Sequence, residues 1–167
     1  MMLLGNNKFR IRTYCQEETE EIAERLARYF YPGTIICLIG KLGSGKTTFV
    51  RGFCHSFRNS VIVRSPSFKI LNIYENKKYK IYHYDFYRIN YEEEIYTLGG
   101  KELFFQDDGV CIIEWADKIK KFLPKEFLEV RLKFINMNTR ELILLPYGEK
   151  YKKILEKFYK SFKKAAN

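Results

Sequence analysis

No two cysteines in this chain have the C-x-x-C spacing of a zinc or redox motif, and no apolar run approaches the length of a membrane span. The four cysteines, Cys15, Cys37, Cys54 and Cys111, stand far apart. Cys37 and Cys111 lie inside apolar runs, where a free thiol behaves as a small core residue, as expected in a reducing compartment. Residues 1–10 hold no long apolar segment of the kind a secretory signal requires. Internal repeats, linkers and low-complexity stretches are missing as well. These absences predict a single cytoplasmic domain over residues 1–167, large enough to bury a core without covalent or metal staples.

Negative charge is the scarcer sign: 20 acidic against 30 basic residues leave a formal net charge of +10. Much of the surplus falls at the end, in Lys150, Lys152, Lys153, Lys157, Lys160, Lys163 and Lys164 against Glu149 and Glu156. That balance suits an anionic partner such as RNA. The plainer reading is a solvated face of the last helix.

Hydrophobic periodicity orders the chain. Residues 8–15 predict a first strand. Residues 17–30 predict a helix whose first turn is acidic (Glu17, Glu18, Glu20, Glu21), which suits the positive end of the macrodipole. Pro32-Gly33 ends it. Residues 34–39 form a buried strand, and residues 46–57 a helix with Phe49, Val50, Phe53 and Phe57 on one face. Two strand-like runs, 68–74 and 79–84, flank the polar stretch 75–78 and predict a hairpin. Short helical pieces follow at 92–98 and 100–105, then a buried strand at 110–115. A second hairpin spans 126–135 and 139–145, and an amphipathic helix covers 149–164 with Ile154, Leu155, Phe158 and Phe162 inward. Early alternation of strand and helix with later hairpins predicts an α/β sandwich with a mixed sheet.

One segment carries strong chemistry. Gly40-Lys41-Leu42-Gly43-Ser44-Gly45-Lys46-Thr47 matches G-x-x-x-x-G-K-[ST] in full. Its glycines let the backbone bend until its N–H groups face phosphate oxygens. Lys46 brings an ammonium to the β- and γ-phosphates, Thr47 offers a hydroxyl to Mg²⁺, and the following helix points its positive end at the same anion. The strand before the loop and the helix after it are the context the motif needs. The expected ligands are therefore ATP and Mg²⁺, held by Gly40, Leu42, Gly43, Ser44, Gly45, Lys46, Thr47 and Thr48. The expected fold is a P-loop NTPase-like three-layer sandwich with a mixed, mostly parallel central sheet.

A P-loop ATPase also needs a carboxylate near the metal, usually at the end of a neighbouring buried strand. Glu114 follows four apolar residues, Val110 to Ile113, and is the first candidate. Asp85, in His83-Tyr84-Asp85-Phe86-Tyr87-Arg88, is the second. It could orient the attacking water or hold the metal's water shell.

These pieces together resemble the bacterial TsaE (YjeE) family over roughly residues 13–145. The loop continues as Thr48-Phe49 and then Arg51-Gly52, as in that family. Ser65-Pro66-Ser67-Phe68 is similar to the family's S-P-T-F, His83 to Arg88 to its H-x-D-x-Y-R, and Val110 to Trp115 to its V-x-x-x-E-W. Leu98-Gly99 and Leu123-Pro124 fall where relatives carry them. Lys41, Ser67 and Ala116 stand where relatives usually have Asp, Thr and Pro. The resemblance implies a small ATPase for threonylcarbamoyladenosine formation on tRNA. It implies Thr47 and Glu114 on Mg²⁺, Lys46, Asp85 and Glu114 in hydrolysis, and a switch-like 65–68 loop. It further implies that Trp115 lies beside the site and that the start of the first helix, around Glu17, lies near the base. The implied partner is the TsaB–TsaD pair, which ATP turnover would reset between rounds, with tRNA met indirectly or weakly through the basic tail.

Two other readings compete. A small-molecule kinase could use the same loop, but such kinases usually carry an arginine-rich lid, and Arg58, Arg64, Arg88, Arg131 and Arg140 are scattered. A non-catalytic RNA-binding module could rest on residues 150–167. Deleting that segment is then expected to separate RNA binding from ATP binding.

Overall fold

A computed structural model describes residues 2–3, 8–56, 62–75, 78–91 and 93–164. Eight strands form one sheet: β1 (Met2–Leu3), β2 (Phe9–Thr13), β3 (Thr34–Ile39), β4 (Leu71–Glu75), β5 (Lys80–Asp85), β6 (Gly109–Glu114), β7 (Phe127–Phe134) and β8 (Arg140–Tyr147). Across the sheet their order is β1-β2-β8-β7-β3-β6-β5-β4. The central strands β7, β3, β6 and β5 run parallel, and the flanking pairs run antiparallel. Helices α1 (Gln16–Ala27), α2 (Lys46–His55) and α4 (Glu149–Lys164) cover one face. The single-turn α3 (Glu94–Thr97) and the 3₁₀ segments Gly100–Phe104 and Ala116–Phe122 cover the other. This is the three-layer α/β arrangement expected from the sequence.

The two-residue period of a strand divides the core. On β3, Ile36 and Leu38 face α1, α2 and α4, while Ile35 and Cys37 face the 3₁₀ layer. Both sides are covered, so the central strands read as unbroken apolar runs.

α1 begins at Cys15, whose Sγ accepts from the Glu18 N–H at 3.4 Å. It packs closely on α2: a Cβ on Gly52 would lie 2.2 Å from the Glu20 carbonyl oxygen. Beside it, Arg51 Nε donates to Glu20 Oε1 at 2.7 Å. The Arg51-Gly52 pair is thus a contact between helices.

Several boundaries differ from expectation for local reasons. β4 starts at Leu71 because the Lys69 and Ile70 N–H groups both donate to the Pro66 carbonyl and Ile70 takes φ +67°. That turn keeps residues 65–70 out of the sheet. β6 stops at Glu114 because Trp115 takes φ +59°. Gly99 and Gly100, both at positive φ, break the middle segment into one α-turn and a 3₁₀ turn. Strand β1 and the 3₁₀ segment Ala116–Phe122 had no counterpart in the sequence reading. Phe57, Asn76, Lys77 and Glu92 lie outside the described residues, as do 165–167 and the side chains of Lys163 and Lys164.

The final helix packs by its expected apolar face, which rules against the alternative of a separable basic tail. Tyr151, Ile154, Leu155 and Phe158 of α4 are core residues. The Tyr151 hydroxyl accepts from the Ile35 N–H at 2.8 Å, and Lys150 Nζ donates to the Gly33 carbonyl at 3.0 Å. Four such side chains contribute roughly 6–12 kcal/mol of burial, comparable to the net stability of a whole domain. Residues 150–164 are therefore part of the fold, and deleting them would open the core rather than remove an accessory. Lys152, Lys153, Lys157 and Lys160 lie on the outer face. No helix among the described residues is long and apolar enough to cross a membrane.

Candidate functional site at the β3–α2 loop

β3 delivers the chain to the loop, and the loop delivers it to α2. A Cβ on Gly40 would lie 2.4 Å from the Leu132 carbonyl oxygen, so only glycine lets the loop pass over β7. Gly45 at φ +99° is the N-cap of α2 and supplies no side-chain cap. The first N–H groups of α2, which have no partner within the helix, are thereby left to an anion. Ser44 Oγ is buried and has no hydrogen-bond partner among the described residues.

Lys46 is almost wholly buried, at 4% exposure. Its Nζ donates to the carbonyls of Gly40 (2.8 Å) and Lys41 (3.1 Å) and lies 3.9 Å over the Trp115 ring. Loss of water pulls its pKa below the ordinary lysine value, and Glu114, Asp85 and Asp117 partly restore it.

Sheet register brings the carboxylates to the loop. Asp85 and Glu114 are direct partners across β5 and β6. By strand alternation both share the face of Ile81 and Ile112, the α2 side of the sheet. Glu114 Oε1 accepts from Thr47 Oγ1 at 2.9 Å and lies 2.9 Å from His83 Nε2. Asp85 Oδ2 accepts from both Ser65 and Ser67, and its Oδ1 accepts from the Tyr87 N–H at 2.9 Å. The serine-rich loop is thus tied to one carboxylate and the helix to the other.

A cavity of about 720 Å³ opens over these groups. Leu42, Gly43, Gly45, Lys46, Thr47 and Thr48 line it, as do Asp85 and Glu114. Glu17 reaches the wall from the start of α1, where its own backbone N–H, helped by Cys15, holds its carboxyl below the ordinary value. Gly40 and Ser44 are not on the wall and act by shaping the loop from beneath.

Three residues that had no role of their own in the sequence reading belong to the site. Arg88 and Arg140, scattered in sequence, both line the cavity. Arg88 stacks on Phe68 at 3.8 Å, and Arg140 reaches the Gly43 carbonyl at 3.4 Å. Arg88 closes the segment matched to H-x-D-x-Y-R, while nothing local marks Arg140. His83 is fully buried against Glu114. Its signal was available, since it lies two residues before Asp85 on a strand and must share its face.

A glycine loop between a central parallel strand and a helix, with two carboxylates at the ends of neighbouring strands, defines a P-loop α/β protein. Comparison with known proteins narrows the class. The family model for "Threonylcarbamoyl adenosine biosynthesis protein TsaE" matches residues 13–142. The chain is 39% identical over 145 residues to the tRNA threonylcarbamoyladenosine biosynthesis protein TsaE of Bacillus subtilis, covering 87% of this chain and 90% of that one. It is 41% identical over 127 residues to the Rickettsia prowazekii protein of the same name, covering 75% and 86%. The crystal structure of Bacillus subtilis YdiB superposes with a TM-score of 0.76 at 32% identity, covering 92% of this chain and 95% of that one. The chain belongs to the TsaE family.

Proposed function

We propose that this protein binds Mg-ATP in the 720 Å³ cavity, hydrolyses it, and serves the formation of N6-threonylcarbamoyladenosine on tRNA in the cytoplasm together with TsaB and TsaD. The observation that carries this reading is the meeting of Lys46, Thr47, Asp85 and Glu114 under one cavity. Family membership supports the pathway.

The residues present fit the substrate and its metal. Mg²⁺ is commonly held by one or two carboxylates together with substrate phosphates, and Thr47 with Glu114 is a donor set of that size. Bound there, the metal would neutralise charge on the β- and γ-phosphates. Lys46 now rests on two neutral carbonyls and an aromatic face. Hydrogen bonds to a charged acceptor are worth roughly twice as much as neutral ones, so a triphosphate draws the ammonium off its resting contacts. The Thr47 hydroxyl would offer a lone pair to the metal while its hydrogen stays on Glu114. Asp85 fixes the 65–68 loop through Ser65 and Ser67, and so shapes the wall on which a water would be held. Turnover by the isolated protein is slow, because Arg88 and Arg140 are engaged with Phe68 and with the loop backbone. Contact with tRNA is indirect, or weak through the lysines of α4.

The test is multiple-turnover modification of tRNA by purified TsaB and TsaD. Adding this protein is expected to sustain repeated rounds, and Lys46→Ala is expected to stop them after the first. A Lys46→Ala protein that sustains rounds as the wild type does overturns the role given to ATP.

A further inference from the structure

The Glu114 carboxylate is 2% exposed, and its Oε1 has two partners at 2.9 Å, Thr47 Oγ1 and His83 Nε2. A carboxylate so placed must keep its hydrogen bonds or lose stability. The Thr47 hydroxyl keeps lone pairs for a metal while its hydrogen points at Glu114, so that hold on Oε1 depends on whatever else draws on Thr47. The imidazole is the second hold on Oε1, and it comes from a residue that does not line the cavity.

His83 is itself held. It is fully buried, and its Nδ1 lies 3.4 Å from the Tyr74 hydroxyl. That hydroxyl is also 3.2 Å from the Arg64 carbonyl, which accepts from Asn72 Nδ2 at 3.1 Å. Asn72 sits directly across from His83 in the β4–β5 register and also reaches the Tyr74 oxygen at 3.3 Å. A carboxylate can only accept, so the imidazole proton belongs on Nε2 and Nδ1 is left as an acceptor. The single Tyr74 hydrogen can serve Nδ1 or the Arg64 carbonyl. Because Asn72 supplies Arg64 in either case, neither arrangement leaves that carbonyl unpaired. Arg64 immediately precedes the 65–68 loop that Asp85 holds from its other side.

We infer that His83 is a positioning residue which fixes Glu114 through Nε2, and that Tyr74 couples it through Nδ1 to the backbone at the foot of the 65–68 loop. The inference rests on the reading of Glu114 as the metal carboxylate. It gives the loop a second link to the metal side of the site, separate from Asp85.

Two matched substitutions test the first half. In His83→Gln the amide nitrogen replaces Nε2, and in His83→Asn it replaces Nδ1; both disturb the same buried position. ATP affinity is measured by calorimetry with Mg²⁺ and again with EDTA. His83→Asn is expected to lose about tenfold or more of the magnesium-dependent gain while its affinity in EDTA is unchanged. His83→Gln is expected to keep most of that gain. Equal gains in the two variants, or equal losses with and without magnesium, overturn the positioning role. A wild-type protein with no magnesium-dependent gain would instead remove the reading of Glu114, and this inference with it, before any variant is made.

Tyr74→Phe tests the second half. Mg-ATP is expected to slow hydrogen exchange of the Lys69 and Ile70 amides, which close the turn on Pro66. The variant is expected to keep the magnesium gain and lose that slowing. Slowing that persists in Tyr74→Phe, or that is absent in the wild type, overturns the coupling to the loop.

Discussion

Asp85 and Glu114 are direct partners at the carboxyl ends of adjacent parallel strands, yet one holds a loop and the other a helix. Asp85 spends both oxygens on Ser65, Ser67 and the Tyr87 N–H. Glu114 has one oxygen committed to Thr47 and His83. Their substitutions therefore separate. Asp85→Asn is expected to lower ATP hydrolysis about 10²-fold with Mg-ATP affinity nearly unchanged. Glu114→Gln is expected to abolish the magnesium-dependent gain in affinity and leave binding in EDTA intact. Phosphate release and calorimetry on the two variants check this. The reverse pattern would exchange the two roles.

The α1–α2 contact predicts a stability effect remote from chemistry. Gly52 lies against the Glu20 backbone, with no flexible side chain there to give way. Gly52→Ala is expected to cost about 3 kcal/mol, the upper part of the usual range for overpacking. In a chain of this length that lowers the melting midpoint by roughly 10 °C. A midpoint within a degree or two of the wild type would show that the helices separate freely.

Thiol chemistry offers a third check. Burial pushes Cys54 and Cys111 up to about 12, and pushes Cys37 well above its ordinary value. The thiolate is the reactive form, so at pH 8 these three remain protonated and enclosed. Cys15 is partly exposed on the cavity wall. An aromatic disulfide reagent is expected to label one thiol quickly in the native protein and four after denaturation. Mg-ATP is expected to slow the single fast reaction. Two or more fast thiols in the native state would contradict the packing of the central strands.

The glycine loop between β3 and α2 was legible because eight consecutive residues carry it and each type has a backbone or charge reason. Glu114 was legible because an acid closing an apolar strand has few ways to be accommodated. Asp85 was legible as a candidate, but its partners were not. Ser65 and Ser67 meet it only because Ile70 adopts a left-handed turn that no pattern of hydrophobicity announces. Arg51-Gly52 stood out as a family mark, while its physical reason, a helix crossing, required coordinates. Arg88 lies in the turn after β5 and Arg140 opens β8, and only the fold brings both to one cavity. The apolar stripe of α4 was legible at helical spacing, and Ile154, Leu155, Phe158 and Phe162 do face the core.

The strand order has a consequence for how the protein is made. β3, which carries the glycine loop, gains its β7 neighbour from residues 127–134 and its clamp from Tyr151. Both leave the ribosome well after β3, its loop and α2. The loop after β3 therefore cannot take its final shape until Tyr151 has emerged, and a nascent chain truncated before α4 should expose β3 to chaperones.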